Sequence, residues 1–279
     1  MRHGRRIERF VIYFFALLLS VGILFPIIWM LIISLETQLN IFNEPSLEMF
    51  TKLTLSNYYF VFDPSMGILK DLVNSAIIDA LTTVVALIIG SMAAYSLNRI
   101  QVRGREGITF WIISQRMMPA IAVVIPFYLF YEAAGLYDTY WGMVLAYLTF
   151  SVPFVVFTMG GYINEIPREI DESARVDGLG RMGVFLRMIL PLSTSGLVAT
   201  ALMTFVFSWN DLLMALVLTG ANTRTVAVGA ALFLPSSGRG ALWGPASAIG
   251  LILMVPTVVF ALLLRRSMVR GLTLGAVKA

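Results

Sequence analysis

Residues 169–191 read EIDESARVDGLGRMGVFLRMILP, a compact charged segment set between two apolar runs, Trp141–Ile163 and Leu192–Leu218. Those runs decide the fold class. A hydrocarbon layer about 30 Å thick takes on the order of 20 apolar residues to cross as a helix, and both runs reach that length. So do Val11–Ser34, Leu72–Leu97, Ile108–Phe130 and Gly244–Leu264. Backbone groups inside lipid must be paired within their own segment, so these are helices and not open strands. At 279 residues, 58% hydrophobic and 13% charged, the chain is expected to be an all-α integral membrane protein with six transmembrane helices. A large soluble protein has no need of runs this long.

The basic start, RHGRRIER, would suit a signal peptide, but the run after it is too long and ends in WMLIISLE without a small-residue cleavage site. An uncleaved first span fits better. The net charge of +4 does not mark a nucleic-acid binder, because of where the charges fall. With six spans, alternate connections share a side. One side collects Arg2, Arg5, Arg6, Arg9, then Arg99, Arg103, Arg105, then Arg168, Arg175, Arg181, Arg187, and finally Arg265, Arg266, Arg270 and Lys278. The other holds Lys52, Lys70, Arg224 and Arg239. Fifteen basic residues against four place both termini in the cytoplasm by the positive-inside rule. The absence of cysteine excludes disulfides and thiol chemistry and suits a prokaryotic inner membrane.

The connections divide the chain. Residues 1–70 hold the cytoplasmic start, the first span and an outer segment, Glu36–Asp71, where Asn57–Tyr58–Tyr59 and Asp63–Pro64 predict turns and a short surface helix. Residues 71–266 form the transmembrane domain, with a cytoplasmic loop at about 164–191, and residues 267–279 a cytoplasmic tail. NRIQVRGRE is a tight basic turn, and YEAAGLYDTY a short outer loop. TGANTRTVAVGAALFLPSSGRG is glycine-rich and partly apolar, as if it dips back towards the membrane.

What is missing excludes several chemistries. The three lysines, Lys52, Lys70 and Lys278, follow no phosphate-cradling glycine pattern, so the chain binds no ATP by a P-loop. His3 is the sole histidine, which leaves no zinc-binding H-E-x-x-H and no Ser-His-Asp set. No catalytic residue and no metal site are expected. Ionised side chains within spans are costly and mark function or pairing. Asp79 and Arg116 each lie about eight residues into a span, roughly mid-depth at about 1.5 Å per residue. An ion pair between neighbouring helices and a substrate contact are both open to them. A proton- or ion-coupled carrier would show more midplane carboxylates, or matched broken helices in two halves.

The charged stretch itself is built as a short helix. Pro167 suits a helix start. Glu169, Asp171 and Glu172 put negative charge at the positive end of the helix dipole, and Asp171 and Arg175 are spaced to pair at i,i+4. Ile166, Ile170 and Ala174 line another face. Gly178 and Gly180 stop the helix and permit a bend. A second amphipathic piece follows through Met182, Phe185, Leu186 and Ile189, and Pro191 leads into the next span. Two readings stand at this point. The segment is an interfacial hairpin whose arginines reach the headgroups, or an exposed helix that enters a groove on a cytoplasmic partner, with small Ser173 and Ala174 permitting close approach.

Resemblance chooses between them. E-S-A-R-V-D-G at Glu172–Gly178 and F-L-R-M-I-L-P at Phe185–Pro191 resemble the EAA loop of ABC importer permeases. NSAIIDALTTVVALIIGSMAAYSLNR, MMPAIAVVIPFYLF, GLYDT, FSWNDLL and the ending GLTLGAVKA resemble the carbohydrate-importing branch, of the maltose and trehalose type, from about Asn57 onward. Ser173 stands where alanine is usual, Gly196 lies near a missing second proline, and Ala279 replaces a final glycine. The resemblance implies an ABC transporter type I transmembrane domain and the shorter permease of a sugar importer. Its partners would be a second, unlike permease, a dimer of ATPases that carries ATP and Mg, and an extracytoplasmic sugar-binding protein. This chain would bind no cofactor of its own, and membrane lipid would surround it. Glu172, Ser173, Ala174, Asp177 and Gly178 would couple to the ATPase. Gly271, Thr273, Gly275 and Lys278 of the tail would reach it as well. Tyr128, Trp209 and Asn210 are candidates for contact with a sugar, against a plain packing role. A stand-alone carrier or channel, or a membrane scaffold without transport, is the alternative reading.

Overall fold

The computed structural model describes residues 2–42, 53–234, 240 and 242–275. In chain order the helices are α1 (Arg2–Ser34), α2 (Gln38–Phe42), α3 (Ser56–Val61), α4 (Ile68–Arg99), α5 (Arg105–Ser114), α6 (Ala120–Ala133) and α7 (Tyr140–Glu165). They continue as α8 (Arg168–Val176), α9 (Arg181–Val184), α10 (Leu190–Leu192), α11 (Thr194–Trp209), α12 (Leu213–Leu218), α13 (Val226–Ala231) and α14 (Trp243–Gly275). The described residues contain no strand.

Four helices or parts of them are long and apolar enough to cross a membrane: Val11–Ser34, Ile68–Arg99, Tyr140–Glu165 and Trp243–Leu263. The other two expected spans are bent. Arg105–Met117 and Ala120–Ala133 meet at 93°, and Arg181–Leu192, expected almost wholly in the cytoplasmic loop, meets Thr194–Trp209, the first part of the expected fifth span, at 80°. Counting each pair once gives the six spans. The first bend has a local cause. Pro119 has no N–H to donate and forces Met118 out of the helical region, to φ −74° and ψ 124°. The expected helix Leu192–Leu218 is also divided, because α11 ends at Trp209 and α12 begins at Leu213.

The chain divides into two compact units, Met1–Leu69 with Gly229–Val255, and Lys70–Val228 with Pro256–Ala279. In the first, the buried Asn57 amide donates to the carbonyls of Ser34 (2.9 Å) and Glu36 (2.6 Å). This satisfies acceptors that the end of α1 leaves without partners. The surface helix expected near Asn57 is α3, and Phe60 of that helix meets Phe233 edge-on at 6.3 Å.

In the second unit α4 and α7 touch closely. A side chain at Gly90 would lie 2.6 Å from Val155, so only glycine allows that approach. One core gathers Ile78, Tyr131, Met143, Tyr147 and Met214. Another gathers Ala86, Tyr95, Met159, Ala174, Phe185 and Ile189, and so carries the packing from the spans into α8 and the segment after it. Phe205 stacks on Trp209 (5.4 Å) and on Phe260 of α14 (5.0 Å).

Candidate functional site

The helix expected in the charged stretch forms as α8, nine residues long, with Glu169 and Asp171 in its first turn and Arg175 in its last. Its end is a Schellman turn. Gly178 adopts φ +89°, its N–H donates to the Arg175 carbonyl (3.1 Å), and the Leu179 N–H reaches back to Ala174 (3.0 Å). Gly178 makes this bend; Gly180 follows in extended conformation at φ −69°.

What holds α8 is a clasp that sequence spacing does not reveal. Asp171 pairs with Arg99 at the end of α4, at 3.4 Å, in place of the expected partner Arg175. Arg99 also donates to the carbonyls of Ile163 (2.7 Å) and Ile166 at the end of α7. One guanidinium thus ties together α4, α7 and α8. Both side chains are largely buried, and a buried guanidinium is fixed best by several oxygen acceptors at once. The clasp rests on Tyr95, whose ring packs on Phe185 at 5.2 Å. The i,i+4 reading failed because a surface pair on one helix is weak, and Arg99 offers a drier site.

The clasp orients α8. Ala174 turns inward, 1% exposed, against Val184, Phe185 and Ile166. It therefore serves packing within this chain, and is not the small surface expected to admit a partner. Glu172, Ser173, Val176 and Asp177 turn outward, and Val176 is 87% exposed. Val176 is thus a single apolar side chain on an otherwise polar exposed face. Composition hid Val176, because a lone valine in a charged helix carries no pattern. In the second amphipathic piece Met182 of α9 is exposed, and in the π-helical turn Phe185–Ile189 that follows Phe185 and Ile189 are buried while Leu186 is exposed.

A second polar node lies at the other end of the same unit. Asp138, at φ +53°, presents its carboxylate to the turn 220–223. It accepts from the N–H groups of Gly220 (2.9 Å), Asn222 (3.0 Å) and Thr223 (2.9 Å) and from the Thr223 hydroxyl (2.8 Å). Burial alone would raise this carboxyl, but the donated hydrogen bonds outweigh it and hold the group below the ordinary carboxylate value. Arg224 pairs with Asp71 at 2.8 Å, and Asn74 donates to the carbonyls of Asn222 and Arg224.

The expected pair of Asp79 with Arg116 does not form. Arg116 lies over the rings of Phe154 (4.7 Å) and Phe207 (5.0 Å). Asp79, 2% exposed, lies beside Ser208 and Asp211, and its Oδ1 has no hydrogen-bond partner. The break at Met118–Pro119 bends the third span and takes Arg116 off the line along which a straight helix would bring it to the depth of Asp79. Asp211 accepts from the N–H groups of Met214 (3.1 Å) and Ala215 (3.2 Å) and so opens α12. Tyr147 donates to the same oxygen at 3.3 Å.

Of the sugar-contact candidates, Trp209 is buried in its stack and Asn210 donates to the Val206 carbonyl (2.8 Å) at the end of α11. Tyr128 meets Tyr137 edge-on at 5.6 Å. Gly271, Thr273 and Gly275, expected in a tail, belong to the last turns of α14, and Lys278 lies outside the described residues.

Straight and broken apolar helices long enough to cross a membrane, with one clasped, exposed helix between two of them, fit the class of membrane permeases. Residues 86–272 match the family of binding-protein-dependent transport system inner membrane components, and the chain belongs to it. It is 35% identical to the trehalose/maltose transport system permease protein MalG of Thermococcus litoralis, over 98% of both chains. It is 34% identical to the trehalose transport system permease protein SugB of Mycobacterium tuberculosis, over 91% of this chain and 92% of that one. The fold matches a chain of a bacterial ABC transporter that imports the acidic polysaccharide alginate. The TM-score there is 0.75 at 19% identity, over 94% of this chain and 97% of the other.

Proposed function

We propose that this chain is the shorter permease of a carbohydrate importer and that α8 is its coupling helix. Residues 71–266 then form the transmembrane domain, both termini and α8 face the cytoplasm, and Glu172, Ser173, Val176, Asp177 and Gly178 meet an ATPase. The last turns of α14, with Gly271, Thr273 and Gly275, and Lys278 beyond them would add to that contact. The observation that carries the reading is the clasped α8, which presents its polar face and Val176 outward while Arg99 binds it to two spans. A helix so held passes any push on its outer face directly to α4 and α7.

The chain's own residues then orient and transmit. ATP and Mg act on the ATPase dimer, a second and unlike permease completes the pathway, and an extracytoplasmic binding protein delivers the sugar. The relatives named for maltose and trehalose transport support a small carbohydrate as cargo. Affinity purification of the tagged chain from its native membrane tests this directly. Recovery of an ATPase and a second permease, with uptake that needs all of them and ATP, is expected. Sugar transport by the chain reconstituted alone would leave a stand-alone carrier as the answer. Sidedness is checked by single cysteines in the cysteine-free chain. An impermeant reagent should label position 59, where Tyr59 is 76% exposed, from outside in intact cells. Position 172 should be labelled only after the cells are opened.

A further inference from the structure

A polar cleft of about 570 Å³ lies against the clasp, lined by Arg99, Arg168, Arg175 and Arg181 with Asp171 and Glu172. Arg99 is already met by Asp171 and two carbonyls. Among the described residues the only ion pairs are Arg99–Asp171 and Arg224–Asp71, which leaves Arg168, Arg175 and Arg181 facing the cleft against Glu172 alone. A second, apolar pocket of about 210 Å³ adjoins it and shares Tyr95, Ile100 and Arg181 with it. Its other walls are Met92, Met182 and Phe185, and Met182 is half exposed beside an equally exposed Leu186.

We propose that the two cavities together hold one anionic phospholipid, its phosphate among Arg168, Arg175 and Arg181 and the start of an acyl chain against Met92, Met182 and Phe185. Guanidinium groups bind phosphate oxygens in pairs, and basic pockets between spans on the cytoplasmic side select anionic headgroups. The site depends on reading this side as cytoplasmic, but not on any ATPase. A lipid satisfies both cavities, whereas an acidic side chain of a protein partner fills the cleft and leaves the apolar pocket empty. Free phosphate does the same. The lipid would brace Arg181 and Arg168, which flank the bend at Gly178, and so set the resting angle of α8.

The experiment uses the complete transporter, stripped of lipid in detergent and titrated with phosphatidylglycerol or phosphatidylcholine of identical chains. Bound lipid is counted by native mass spectrometry. Phosphatidylglycerol is expected to bind preferentially. Each of Arg168→Gln and Arg181→Gln should weaken it about five-fold, the ratio that ~1 kcal/mol per basic residue gives. Arg168→Lys and Arg181→Lys keep the charge and lose the paired geometry, so each should bind more weakly than arginine and more tightly than glutamine, which separates lost charge from misfolding. Met92→Gln should weaken the lipid and leave any binding of glycerol 3-phosphate unchanged. Equal binding of the two lipids, or indifference to the arginine changes, would overturn the proposal. So would displacement of the lipid by inorganic phosphate at equal concentration, which would assign the cleft to free phosphate. ATPase recovery is read in the same samples. Its loss with lipid binding intact would assign the arginines to the ATPase instead, while normal lipid binding without any ATPase partner would refute only the coupling role of α8.

Discussion

Asp138 and Asp171 are two carboxylates that hold loops to spans, and they are built in opposite ways. Asp138 accepts from three backbone N–H groups and a hydroxyl of one turn. Asp171 instead meets side chains of a neighbouring helix, the Arg99 guanidinium at 3.4 Å and the Tyr95 hydroxyl beside it. A carboxylate with several short donors fixes its turn in one geometry. A carboxylate held by side chains of a neighbouring helix ties its own helix to that span. Asp138 therefore fixes one turn, whereas Asp171 joins α8 to α4, as a helix proposed to pass a push to the spans requires.

The largest expected effect is on the rigid side. Asp138→Ala removes the acceptor from the whole turn, and part of the loss is recovered by water at the exposed Asn222. Destabilisation of about 3 kcal/mol follows from charged hydrogen bonds of this kind, read as a lower unfolding temperature of the purified assembly. The pH dependence has a definite sign. The folded-state carboxyl titrates below its unfolded value, so its contribution is complete above about pH 4 and is lost as pH falls through the folded value. Asp138→Asn should flatten that acid limb. An unchanged limb would show that Asp138 does not fix the turn.

Next comes the clasp. Arg99→Gln leaves Asp171 without a cation and the Ile163 and Ile166 carbonyls without their donor, at a cost of about 2 kcal/mol. Asp171→Asn should cost less, because Arg99 keeps its carbonyls. The double variant should fall short of the sum of the two, and strict additivity would dissolve the clasp. Gly178→Val is smaller still, about 1 kcal/mol of backbone strain at φ +89°. It should still lower ATPase recovery, because it misdirects the outer face of α8. Full recovery of ATPase would show that the bend is not needed for docking.

Both clasps show where a sequence stops being legible. The spans could be read because twenty apolar residues have one explanation, and α8 because its dipole charges and Gly178 sit within one short window. Asp138 and Arg99 find their partners more than sixty residues away along the chain. Spacing rules reach only one turn of helix, so they pair Asp171 with Arg175 and show Arg99 only as a charge that orients the protein. The bend after Met118 was written in Met118–Pro119, yet a mid-depth pair was drawn across it. Asp79→Asn and Arg116→Gln should now act independently, with a double variant equal to their sum within about 0.5 kcal/mol. A coupling well beyond that would restore the pair.

The smallest effect on stability is the sharpest test of the contrast. Val176 and Glu172 lie outside the clasp: Val176 is 87% exposed, and Glu172 is exposed at the edge of the arginine cleft. Exposed substitutions away from caps and cores change stability by less than about 0.5 kcal/mol. Val176→Asp and Glu172→Lys should therefore leave the unfolding temperature and the abundance in the membrane as they were. If α8 is a contact surface, a charge placed on its one apolar knob must be desolvated when a partner closes over it, and ATPase recovery and ATP-driven uptake should both fall. Capture of sugar by the external binding protein should stay normal. If α8 is only an interfacial hairpin, Val176→Asp disturbs nothing, since both residues already face water or headgroups. Unaltered ATPase recovery and uptake in both variants would leave that hairpin standing, and with it a chain that couples to its ATPase elsewhere.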